Sequence, residues 1–152
     1  MSSLADKLKS NLALERKALN LDYAFTYGVN FEHRTITIDE NIDEGIFNWF
    51  DTAMTEMEHI SSRKTITIKI NTFGGYLYEA NSVIGRISAS PCHIVTEGHG
   101  KVMSAGVLIL ASGDKRRASR FCRGMHHAAA YDMDWEKTQA HEDFLKEIKE
   151  EG

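Results

Sequence analysis

Gly74 and Gly75 follow a run of β-branched residues, and a serine, Ser104, stands 29 residues after the second glycine, inside GKVMSAGVLIL. Paired glycines let backbone N–H groups face a cleft with no Cβ in the way. A hydroxyl at the start of an apolar helix gains from the helix dipole once negative charge develops beside it. Amide donors and a hydroxyl aimed at one spot are the parts needed to attack a carbonyl. A plainer reading uses the same residues, with glycines for a tight turn and Ser104 as a helix cap. A base would have to be found among seven histidines. His33, His59, His93, His99 and His141 fall at surface or strand-edge positions. His126 and His127 differ, because they end a predicted strand and precede the small run AAA. No cysteine or carboxylate lies at zinc-binding spacing around them, so no metal is expected. The GHGK stretch, Gly98–Lys101, is not a phosphate-binding loop, since Val95 and Val102 stand where a glycine and a Ser/Thr belong.

The elements that must position these groups are legible as patterns. RTITI and KTITIKI alternate Ile with Thr or Lys and read as two strands. Between them Ile46, Phe47, Trp49, Phe50, Ala53, Met54 and Met57 recur at helical spacing, with Asp39 and Asp43 near the start. Ala80, Val83, Ile84 and Ile87 mark a second helix that stops before Pro91, the only proline. HIVTE reads as a short strand, Met103–Ala111 as a buried apolar helix, and RRASRFCRGM as one or two short strands. DKRR, Asp114–Arg117, reads as a solvated turn. Trp135–Glu150 is a charged helix with Glu142/Lys146 and Lys146/Glu150 pairs. Leu4, Leu8, Leu12 and Leu19 give an N-terminal helix that is either a partner-binding arm or a packing helix. The AFTYGVNF stretch after it is rich in β-formers. Alternation of strands and helices predicts an α/β fold with a mostly parallel sheet covered by helices. In such sheets ligands sit beyond the C-terminal strand ends, where the glycine pair falls.

With 152 residues, the chain is read as a single domain with an arm at 1–33 and the body at 34–152. A net charge of −4 and a pI near 6.0 argue against a nucleic-acid partner. No apolar run reaches bilayer-spanning length, and the N-terminus lacks a secretory signal pattern, so no membrane is expected. Two cysteines outside any CxxC pair fit a reducing, cytoplasmic setting.

Taken together, KINTFGG, GKVMSAG and SGDKRRASRFCRGMHH resemble three successive segments of the ClpP-type serine peptidases, the proteolytic subunit of Clp protease. The likeness runs from about Arg34 to Glu150. It implies the ClpP/crotonase fold, a twisted and mostly parallel sheet flanked by helices, with Trp135–Glu150 as a protruding handle helix. It also implies a hydrolase that acts as a homo-oligomer of seven-membered rings, single or stacked. Its substrates would be peptides or unfolded proteins, its partner in ATP-dependent proteolysis an AAA+ unfoldase, and no cofactor is implied. Carried over residue by residue, Ser104 is the nucleophile and His127 the base, with His126 taking that place if the alignment shifts by one. The amides of Gly75 and Ala105 form the oxyanion hole, and an extended substrate lies along Phe73, Gly74 and Tyr76.

The chain departs from the family pattern in places. The family's catalytic aspartate lies beyond the handle, where this sequence stops at Gly152; Asp132, Asp134 and Asp143 do not match it, and the third triad member is unknown. Thr72 and Phe73 replace Ser-Pro, and Ala105 replaces methionine after the serine. The N-terminus through Phe31 does not resemble the family's axial loops. Two rivals follow. One is a catalytically silent ring or assembly subunit of the same fold. The other is a crotonase-type coenzyme A enzyme using Glu79 or Glu97 as acid/base. A Ser–Lys dyad with Lys101 is disfavoured by the three-residue separation.

Overall fold

The computed structural model describes residues 4–128. Four helices and six strands follow in the order α1 (Leu4–Tyr27), β1 (Val29–Asn30), β2 (Thr35–Ile38), α2 (Ile46–Ile60), β3 (Ile66–Thr72), α3 (Leu77–Ser88), β4 (Ile94–Met103), α4 (Ala105–Ala111), β5 (Lys115–Ala118) and β6 (Arg123–Met125). The strands form a single sheet in the order β1-β2-β3-β4-β5, with β6 also paired to β4. All pairings are parallel except β1 with β2. The expected mostly parallel α/β architecture is what forms. The handle helix expected at Trp135–Glu150 lies outside the described residues.

Binary patterning explains the body. On β3, Ile66, Ile68, Ile70 and Thr72 are buried while the residues between them are half-exposed. Their apolar face meets Ile46, Phe50, Ala53, Met54 and Met57 of α2 and Ala80, Val83 and Ile87 of α3. Each fully buried large side chain here contributes about 1.5–3 kcal/mol. Thr72 lies at the far end of that row, so one buried hydroxyl stands where the sheet meets the glycine pair.

Four expectations need correction. The strand expected at HIVTE runs on through GHGKVM to Met103, so Met103 is strand and α4 begins only at Ala105. Pairing permits the extension: β3 slips register between Ile70 and Thr72, and β6 then supplies a second partner along Lys101–Met103. AFTYGVNF is helical up to Tyr27, with only Val29–Asn30 in a strand, because α1 continues until Gly28 at φ 66 ends it. DKRR is not a turn. Lys115–Ala118 form an exposed strand along the sheet margin, where charged side chains discourage further strand pairing.

Two polar knots tie helices to sheet. Arg34, buried and at φ 52, donates to the carbonyls of Thr65, Met57, Ser61 and Lys64 and to Cys92 Sγ. Met57 and Ser61 lie in the last turn and C-cap of α2, where a cation complements the helix dipole. Arg86 on α3 binds Asp51 and both oxygens of Glu58 on α2, and Ser90 also donates to Glu58. Burial alone would raise the Glu58 pKa. The hydrogen bonds from Arg86 and Ser90 and the Arg86 charge outweigh it, and the net shift is downward.

Candidate active site

Thr72 organises the glycine turn. Its Oγ1 donates to the Glu40 carbonyl at 2.5 Å and accepts from the Gly74 N–H at 3.0 Å. Gly74 turns at φ 99, and a Cβ there would stand 2.8 Å from Ser104 Cβ and 3.1 Å from the Ala105 nitrogen. Only glycine lets the turn sit against the serine. Gly75 is pinned from the other side, by Ile42 N–H to Gly74 O at 2.9 Å and Tyr76 N–H to Ile42 O at 2.8 Å. Both bonds flank Gly75, so its own N–H faces away from Ile42. Among the described residues that N–H has no acceptor, nor has the N–H of Ala105 at the first position of α4.

Ser104 occupies the junction of β4 and α4 at φ 50 and ψ −122. A helix cap adopts extended angles and accepts a hydrogen bond through its side chain; Ser104 does neither. Holding an L-residue there costs about 1–3 kcal/mol, and its surroundings impose the angle. Ser104 N–H donates to the Met125 carbonyl at 2.7 Å, while its own carbonyl accepts from Val107 at 3.0 Å. The first of these bonds also brings the end of β6 to the serine. Met125 pairs with Met103 in register, so His126 and His127 follow at the level of Ser104. Both imidazoles are exposed. Nδ1 of His127 lies 2.6 Å from the Ala128 carbonyl oxygen. Among the described residues neither imidazole is hydrogen-bonded to the Ser104 hydroxyl.

Thus Phe73, Gly74, Gly75, Tyr76, Ser104, Ala105, His126 and His127 converge from three separate chain segments. Phe73 and Tyr76 are exposed, as is Tyr78, which sequence reasoning overlooked. The supporting roles of Thr72 and Ile42 were also missed. A hydroxyl two residues before a glycine turn is a recognisable turn-former, but nothing local points to Ile42, 33 residues before Gly75. The carboxylates weighed as acid/base are placed otherwise. Glu97 binds Arg117 at 2.9 Å and approaches His99 at 3.7 Å, and Glu79 sits in the first turn of α3. Lys101 Nζ lies over the Phe73 ring, 4.7 Å from its centroid. No cluster of three or more metal-ligating side chains occurs among the described residues. None of their helices is long and apolar enough to cross a membrane.

A mixed α/β sheet flanked by helices, with a glycine turn and a strained serine meeting at its strand ends, is the architecture of a ClpP-type peptidase. The family model for Clp protease matches residues 21–150, and the chain belongs to that family. It is 30% identical over 102 residues to ATP-dependent Clp protease proteolytic subunit 1 of Thermobifida fusca (strain YX), covering 67% of this chain and 46% of that protein. The solved structure of a ClpP1 mutant from Listeria monocytogenes matches with a TM-score of 0.65 at 25% sequence identity, over 72% of this chain and 64% of that one. The chain therefore spans less than two thirds of the length of either relative.

Proposed function

We propose that this chain is a serine endopeptidase of the ClpP type. The observation that carries the reading is the strained Ser104, its side chain capping nothing, held against the Gly74–Gly75 turn beside two amides that have no acceptor among the described residues. Ser104 Oγ attacks the substrate carbonyl carbon as its proton passes to an imidazole. The amides of Gly75 and Ala105 receive the oxyanion, a donor typically contributing about 3–4 kcal/mol to the transition state. The tetrahedral adduct expels the amine, which takes the proton from the imidazole, and water then hydrolyses the acyl-enzyme. His127 is the preferred base. Its Nδ1 faces the Ala128 carbonyl and so carries the proton, which leaves Nε2 as acceptor. An extended peptide runs beside Phe73, Gly74 and Tyr76 as an added strand.

Family membership supports the rest of the proposal: homo-oligomeric rings of seven, service by an AAA+ unfoldase, and unfolded polypeptide as substrate. α1 acts as an arm for assembly, since none of its residues from Leu4 to Tyr27 is buried, whereas Val29–Asn30 pair with β2 and belong to the body rather than to an arm ending at residue 33. Free thiols at Cys92 and Cys122 support a cytoplasmic setting. One observation favours a silent subunit instead, namely the absence of a Ser104–imidazole hydrogen bond among the described residues. Such bonds often tighten only with substrate. The crotonase reading loses support because Glu97 is engaged by Arg117.

A fluorophosphonate probe decides between these. Labelling of the parent chain that disappears in Ser104→Ala and in one of His127→Ala or His126→Ala supports the peptidase and names its base. Absence of labelling in a folded, assembled sample supports the silent subunit.

A further inference from the structure

Lys101 and Arg123 are register partners on the parallel strands β4 and β6. Side chains on one rung of neighbouring strands leave from the same face, about 4.8 Å apart. Two cations so placed repel each other, and a fold ordinarily sets a carboxylate between them. Among the described residues there is none. Among the described residues the Arg123 guanidinium has no hydrogen bond or ion pair, and the Lys101 ammonium has only the Phe73 ring. The contrast with Arg117, bonded to Glu97, and with Arg116, bonded to the carbonyls of Ala111 and Gly113, is local and clear.

The position of the pair relative to the site gives it a use. Phe73, whose ring holds Lys101, immediately precedes Gly74, which touches Ser104. Lys101 stands three residues before Ser104 on β4, about 10 Å along the strand, the span of two or three residues of an extended peptide. The half-exposed Met103 and exposed Met125 share the face between the cations and the serine. The surface leading to Ser104 is therefore apolar at the reacting end and doubly positive two to three residues away.

We infer that Lys101 and Arg123 form a carboxylate-binding subsite, so that the enzyme prefers peptides carrying a carboxylate two or three residues from the scissile bond. This rests on the peptidase reading above. The carboxylate can be an Asp or Glu side chain or the C-terminus of a short peptide, and both are recognised by the same two charge-assisted contacts.

The test is kcat/KM for fluorogenic peptides in which one Glu, Gln or Lys is moved through the three positions on each side of the cleaved bond, with free-acid and amidated C-termini. A Glu at the favoured position is expected to give about a tenfold higher kcat/KM than Gln, mostly through KM, and to lose that advantage as salt rises. In the paired variant Lys101→Met with Arg123→Met the advantage should vanish, with fluorophosphonate labelling of Ser104 unchanged as the check on folding. In Lys101→Glu with Arg123→Glu the preference should pass to Lys. Should the paired variants misfold, Lys101→Gln alone is expected to reduce the Glu advantage by about half on a logarithmic scale. An effect seen only with a free C-terminus assigns the subsite to the terminal carboxylate. Ser104-dependent cleavage indifferent to Glu, Gln and Lys and to the C-terminus, or a Glu preference intact in the Met pair, overturns this inference alone. No Ser104-dependent cleavage of any peptide overturns the peptidase reading together with it.

Discussion

Arg34 and Ser104 are the two non-glycine residues at positive φ among the described residues, at 52° and 50°, and their surroundings differ in kind. Around Arg34 the strain is matched by hydrogen bonding. Its guanidinium is buried and serves four backbone carbonyls. Around Ser104 the strain has no such return. Its side chain caps nothing, and the amides of Gly75 and Ala105 beside it have no acceptor among the described residues. Strain coupled to satisfied polar groups stabilises a fold. Strain coupled to open donors leaves a place for something else to bind, and this is where backbone strain is informative about function.

That contrast can be broken from either side. The largest effect is expected from Gly75→Ala. The new methyl would collide with the Ile42 backbone, the turn would shift, and the rate of Ser104 labelling should fall by about 10²–10³-fold, as for loss of an oxyanion donor. Arg34→Met comes next and acts on the other corner. It strands buried carbonyls at the end of α2, and chemical denaturation should show a loss of about 3 kcal/mol, while labelling per folded molecule stays unchanged.

Glu58→Gln is smaller and carries a pH signature. Glu58 is held below its ordinary value of 4.5 by Arg86 and Ser90 despite the opposing effect of burial. A carboxylate depressed in the fold adds stability above its unfolded pKa, and that contribution is lost as pH falls through the folded pKa. At neutral pH the variant should be less stable by about 1–2 kcal/mol. The gap should close in acid below 4.5, as urea melts at several pH values would show. The smallest effect on stability is expected from Ser104→Gly. Removing the Cβ relieves the positive φ, and the variant should gain about 1 kcal/mol of stability as it loses all labelling. A variant that instead loses stability would show that the Ser104 side chain supports the fold.

The sequence alone determined the layers of this protein, because periodicity is a local property. Ile at alternate positions of β3 and apolar residues three and four apart on α2 and α3 admit few arrangements other than a sheet with helices packed on it. It also supplied the candidate residues, since a glycine pair, a serine and a histidine pair at family spacing survive as a pattern in one dimension. What only the tertiary structure decided are the relations between segments far apart in the chain. The length of β4 depended on a register slip in β3 and on a second partner in β6. The placement of Gly75 depended on Ile42, and the strain at Ser104 on a hydrogen bond to Met125. The adjacency of Lys101 and Arg123 depended on the pairing of strands separated by a helix and a strand. None of these leaves a mark on its own neighbours in sequence, because each is set by a hydrogen bond or a steric contact that exists only after the chain has closed on itself.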